Sequence, residues 1–158
     1  MILGIDSSAV SAGCALTDGD KIVAEQFLNT RHTHSETLLP MISAMLKSAG
    51  VTLSDVDKIA VSAGPGSFTG LRIGISCVKG LCDAAHKPCV SVSTLEAIAY
   101  NFLHIDGIIC ACMDARCKQV YNACLIVAKH PLSICAYCTK SLFRTNLAVW
   151  NMESFLNC

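Results

Sequence analysis

The chain has 158 residues, with 12 basic and 12 acidic side chains, a net charge of zero and 53% hydrophobic residues. A protein that grips a nucleic-acid backbone unaided draws on a surplus of Lys and Arg to replace counterions. Zero net charge therefore argues against that class, and any part in RNA chemistry is expected to run through a partner. No stretch free of Asp, Glu, Lys and Arg approaches the roughly 18 residues that a membrane helix requires.

At the amino terminus, MILGID reaches an acid at Asp6 with no basic run before it, so a secretory leader is not expected and the chain reads as cytoplasmic. Its eleven cysteines would then stay reduced. Met1 to Ile5 is a short apolar run, Ser7 to Ser11 a turn, and Ala12 to Thr17 a second alternating run. Asp18-Gly19-Asp20 is a strong hairpin signal, after which Ile22, Ala24 and Phe27 mark a third strand. Asp6 has two readings: it closes a turn through its side chain, or it approaches a phosphate-bound cation from the tip of the first strand.

Thr33 and Glu36 stand at capping-box spacing and open a helix from His34 to Ala49, ended by Gly50. Leu38, Ile42, Met45 and Ala49 form one face, widened by Leu39 and Leu46, with Pro40 inside. His32, His34 and Glu36 also have metal-ligating chemistry, but capping already accounts for the glutamate.

Residues Val51 to Asp57 are a polar connection into the most informative stretch, KIAVSAGPGSFTGLRIGISCVKGL, from Lys58 to Leu81. Ile59, Val61 and the small residues up to Ala63 form a buried strand that breaks at Gly64-Pro65-Gly66. Leu71, Ile75, Val78, Cys82 and Ala85 then recur at steps of four and three, the mark of a helix. Ser67 or Thr69 caps it, and its free N–H groups make Gly64, Gly66, Ser67 and Thr69, together with Asp6, candidate phosphate or nucleotide contacts. The turn has neither the Lys-Ser/Thr ending of a P-loop nor a dinucleotide fingerprint.

Pro88 marks the helix end, Cys89 to Val92 a strand and Thr94 to Leu103 a short helix. Ile109 to Met113 and Val120 to Val127 are two further strands about a turn from Asp114 to Lys118. Cys110 and Cys112 would face one side of the first and behave as small hydrophobes. Cys110, Cys112, Cys117, Cys124, Cys135 and Cys138 crowd this half, but only Cys135-x-x-Cys138 has knuckle spacing and a four-thiolate site needs a second pair, so no metal is expected. The order of elements predicts an α/β fold with a mixed sheet.

Three strings carry a family resemblance. AGPGSFTGLRIG and HSETLLPMI resemble the TsaB (YeaZ) family, bacterial proteins related to the threonylcarbamoyl-transferase TsaD, and MDARCKQVYNA resembles the start of that family's second lobe, with Gln119 where a glutamate is usual. The likeness is expected to stop at about Ala123. The resemblance implies an actin-like ATPase (ribonuclease H-like) lobe over 1–104, an incomplete second lobe begun at 105–127, and a divergent tail over 128–158, disordered or truncated. In TsaD a His-x-x-x-His pair holds a metal; the matching positions here are Thr94 and Ile98, with Glu96 between them, and these cannot assemble that centre.

The resemblance therefore implies no catalytic residues. It implies a non-catalytic partner subunit in forming threonylcarbamoyladenosine on tRNA next to the anticodon, with a TsaD-like transferase and a TsaE-like ATPase as partners and tRNA met only through the complex. The partner-binding helices would present His34, Glu36, Leu38, Leu39, Ile42 and Met45 from the first and Leu71, Arg72, Ile75 and Lys79 from the second. A homodimer through the same helices is the other assembly. No cofactor is expected on this chain alone, with ATP or ADP placed at a complex interface. The alternative function is a nucleotide-binding ATPase or phosphotransferase of the actin/sugar-kinase fold.

Overall fold

Apolar residues at every second position build the first three strands, β1 (Ile2–Asp6), β2 (Ala12–Asp18) and β3 (Lys21–Leu28), which form an antiparallel meander. The structure is a computed structural model that describes residues 1–30, 32–102, 104, 105, 107–127 and 133–142, with Val127 and the last stretch described as backbone. Helix α1 (His34–Ser48) follows, then a single 3-10 turn (Leu53–Asp55), β4 (Lys58–Gly64), α2 (Phe68–Ala85), β5 (Cys89–Ser93) and α3 (Thr94–Tyr100). Strands β4 and β5 add parallel to β1, giving a five-stranded mixed sheet in the order β3-β2-β1-β4-β5.

One face of that sheet makes the main core. Leu3, Ile5, Cys14, Leu16, Ile59 and Val61 point to the same side and are buried under α1 and α2. From β3, Ala24 and Leu28 join them, whereas Phe27 faces away and is 66% exposed. Helix α1 contributes Leu38, Met41, Ile42, Met45 and Leu46, a stripe that takes in Met41 and leaves Leu39 outside. A second, smaller core lies between α3 and an antiparallel sheet of β6 (Gly107–Arg116), β7 (Gln119–Val127) and β8 (Ser133–Leu142). Residues 133–142, expected to belong to a divergent tail, thus pair along β7, while the side chains of Cys135 and Cys138 and the whole of 143–158 lie outside the described residues.

Helix α2 departs from the expected face. Its buried residues are Gly70, Gly74, Val78 and Cys82, four apart, while Leu71 and Ile75 are half-buried beside them. The reason is the turn between β1 and β2: Ser7 and Ser8 are buried, and a Cβ added at Gly66, Gly70 or Gly74 would run into them. A glycine edge lets strand-turn and helix backbones meet without side chains between them. Gly64, at φ +114, supplies the turn geometry that an L side chain rarely adopts.

Gly74→Ala is expected to destabilise the chain by about 2 kcal/mol, since the new methyl falls on the buried Ser7 side chain. Gly80→Ala, at an exposed position with open space, should be neutral or stabilising by up to about 1 kcal/mol. Denaturant midpoints of the two variants check this contrast.

Candidate functional site

Two turns meet at the carboxyl ends of the parallel strands β1 and β4. Asp6 Oδ1 accepts from the Ser8 N–H at 2.9 Å, and the Ser8 carbonyl accepts from the Ser67 N–H at 2.6 Å. The Ser7 hydroxyl donates to the Gly70 carbonyl at 2.9 Å, and His34 Nε2 lies 3.0 Å from the Ala9 carbonyl. Ser67, rather than Thr69, is the N-cap of α2: its Oγ accepts from the Gly70 N–H at 3.3 Å. Thr69 is exposed on the first turn. Of the candidate phosphate contacts, Asp6 therefore closes a turn, Gly66 seats Ser8, and Ser67 caps its own helix. The Ser67 and Gly70 N–H groups and Asp6 Oδ1 are engaged within the chain, and a space lined by Ser8, Gly66, Ser67, Phe68 and Thr69 opens beside them.

The helices themselves leave a surface groove of about 520 Å³, floored by Leu38 and Ile73 and walled by Leu39, Phe68, Arg72 and Cys77. Phe68 is 73% exposed and Leu39 is 51% exposed, large apolar side chains standing in solvent near the starts of two adjacent helices. The Arg72 guanidinium lies 5.2 Å from the centre of the Phe68 ring, which fixes the ring's orientation by a cation–π contact.

Of the residues expected on the partner-binding helices, Ile42 and Met45 are buried in the core under the sheet and Leu38 is buried there while also lining the groove floor, because α1 turns its most continuous apolar stripe inward. Leu71 and Ile75 are half-buried, and Glu36, Leu39, Arg72 and Lys79 are exposed. Phe68 was not among the expected residues. Its signal was present in the sequence as a large aromatic at the helix start, out of phase with the buried positions.

No metal assembles at the α1 terminus. His34 is turned onto the β1–β2 turn, and His32 Nδ1 stands 3.9 Å from Glu36 Oε2. Among the described residues no group of three or more His, Cys, Asp or Glu is arranged to hold an ion. Glu36 instead accepts from the Thr33 N–H at 3.1 Å, the expected reach-back of a capping box, while Thr33 Oγ1 lies 2.9 Å from Ser35 Oγ.

With this geometry in view, the relatives are informative. The model of the family described as TsaD, tRNA N6-adenosine threonylcarbamoyltransferase, matches residues 21–135. The tRNA threonylcarbamoyladenosine biosynthesis protein TsaB of Bacillus subtilis is 39% identical over 121 residues, covering 77% of this chain and 53% of that protein. Its Escherichia coli counterpart is 37% identical over 124 residues, with the same coverage of both chains. The solved structure of YeaZ from Pseudomonas aeruginosa superposes with a TM-score of 0.76 at 30% identity, covering 95% of this chain and 71% of that one. The chain belongs to the TsaB (YeaZ) family. It spans about half the length of the TsaB relatives that it matches.

Membership gives the five-stranded lobe its class, the actin-like ATPase fold. In α3, Thr94 is 3% exposed with no hydrogen-bond partner for Oγ1, and Ile98 packs against the second core. Neither fits a metal: a hydroxyl is a weak ligand and an aliphatic chain is none.

Two outcomes follow. Thr94→Val should raise stability by about 1 kcal/mol in chemical denaturation, because it removes a buried hydroxyl that has no partner. The Glu36 carboxyl is held below its ordinary value of 4.5, first by the Thr33 backbone N–H and then by the Thr33 side chain. A lowered carboxyl pKa contributes stability that is full above the ordinary value and lost as pH falls through the folded one. Hydrogen exchange in the first turn of α1 should therefore accelerate, beyond its intrinsic pH dependence, as pH drops below about 4.5, and Glu36→Gln should remove that dependence.

Proposed function

We propose that this chain is a non-catalytic partner subunit that docks onto a TsaD-like transferase in forming threonylcarbamoyladenosine on tRNA. The observation that carries the proposal is the α1–α2 groove, with Leu39 and Phe68 exposed on either side of an apolar floor. Exposed apolar patches of this kind are the usual basis of specific protein contacts, with a buried aromatic as the anchor. The names of the TsaB relatives support the pathway, and the altered pair at Thr94 and Ile98 supports a supporting role rather than a catalytic one.

Finer assignments extend the same reading. A TsaE-like ATPase joins the pair, and tRNA is met through the complex, in keeping with a net charge of zero. In the absence of the transferase the same groove serves a homodimer. ATP or ADP belongs at a boundary of the complex, since the turn at Asp6 and Ser67 is already engaged within the chain. The location is the cytoplasm; no helix among the described residues is long and apolar enough to cross a membrane. The alternative of a free-standing ATPase or phosphotransferase is not favoured by relatives named for threonylcarbamoyladenosine biosynthesis.

Calorimetry with the purified cognate transferase tests the proposal. Leu39→Asp and Phe68→Asp should each weaken association about tenfold or more, because a charge would be buried without a partner at the contact. Circular dichroism should stay unchanged, since both side chains already stand in solvent. Wild-type affinity in both variants would remove this groove as the docking surface, and no association by the folded wild-type chain would remove the function.

A further inference from the structure

Three cysteines outside the docking groove gather on one patch of the second sheet. Cys110 and Cys112 flank the buried Ala111 on β6, and both are exposed rather than packed as small hydrophobes. They leave the strand on the same side, and their sulfurs are 3.7 Å apart. Cys124 on β7 stands directly opposite Cys110 in register and is buried. The second core is made by Leu95, Ala99, Ala111, Ala123 and Leu125, so Cys110 and Cys112 are not needed to fill it.

We propose that Cys110 and Cys112 form a two-thiolate site for a soft, thiophilic cation of the Cu(I) class. The geometry suits a chelate: with metal–sulfur bonds of about 2.3 Å, sulfurs separated by anything from the present spacing up to about 4.6 Å grip one ion from two sides. Soft thiolate donors select soft ions. Among the described residues no third ligating side chain joins the pair. A soft monovalent cation is satisfied by the pair alone.

Binding is a proton exchange with no change of oxidation state. Two S–H bonds break, two metal–sulfur bonds form, and two protons pass to solvent. A cation must displace the thiol protons, so its affinity rises with pH.

The test is competition for Cu(I) between the reduced full chain and the chromogenic chelator bicinchoninate, without oxygen. Eleven cysteines give a background of weak uptake, so the comparison is between variants. The Cys110→Ser, Cys112→Ser double variant should lose the tightest equivalent or bind it at least about tenfold more weakly. Cys117→Ser, an exposed cysteine with no thiol neighbour in the patch, should match wild type. Wild-type affinity should rise between pH 6 and 8, by up to about two protons' worth per ion, and that slope should be lost in the double variant. Cys112→Ser alone gives the same reading if the double variant changes the circular dichroism spectrum. Equal copper uptake by wild type and double variant would overturn the proposal, as would a loss in Cys117→Ser as large as in the double variant.

Discussion

The seat of Ser7 and Ser8 on the glycine edge of α2 is the contact on which the rest of the first lobe depends. Strand β1 is central in its sheet, paired to β2 on one side and to β4 on the other, and α2 lies across β1, β4 and β5. The turn leaving β1 must therefore pass under the start of that helix. Backbone-to-backbone approach is the only way through, and Gly66, Gly70 and Gly74 provide it. Once it is made, the Ser8 carbonyl takes the Ser67 N–H, the Ser7 hydroxyl takes the Gly70 carbonyl, and His34 ties the start of α1 to Ala9. Two helices and three strands are thus referenced to one short turn.

That contact also governs what the lobe can offer. A helix start at the carboxyl ends of parallel strands is a natural anion site, because its first N–H groups have no partner within the helix. Here the turn fills that role from inside the chain, with Asp6 closing the loop on the Ser8 N–H. The N-cap end of α2 is thereby tied to the turn through the Ser67 N–H. What remains outward-facing at the same end is apolar: Phe68 at the first helical position, steadied by Arg72, and Leu39 across the groove. The end of α2 that positions the turn is thus also the end where large apolar side chains face solvent.

Much of this was readable in the sequence, and the gaps have physical causes. The order of strands and helices, the capping box at Thr33 and Glu36 and the break at Gly64 followed from periodicity and turn chemistry. The face of α2 did not, because apolar period counting passes over glycine, and the closest contact in the lobe is made by residues with no side chain. Which leucine of α1 is core and which is surface also escaped. Leu38 and Leu39 are adjacent and chemically identical, and only the placement of the sheet makes one 1% exposed and the other exposed. Strand β8 went unread because its apolar residues carry neither clean alternation nor a family motif; its pairing is set by the register of β7.

Helix α3 shows how a site for chemistry and a site for packing compete for the same positions. It touches β4 and β5 of the first sheet and β6 and β7 of the second, so its side chains lie where the two layers join. Residues four apart share one helical face. A pair spaced as Thr94 and Ile98 can therefore either converge on an ion or fill a seam, but a metal needs water-accessible polar ligands where the seam needs apolar volume. In this chain Ile98 takes the second course, lying against Leu95, Ala111, Ala123 and Leu125. Thr94 is buried beside it with an oxygen that finds no partner, a cost of about 1–3 kcal/mol that apolar packing must offset. The join between the layers is thus held by burial, with apolar volume from Ile98 and the second core closing the seam that Thr94 leaves polar.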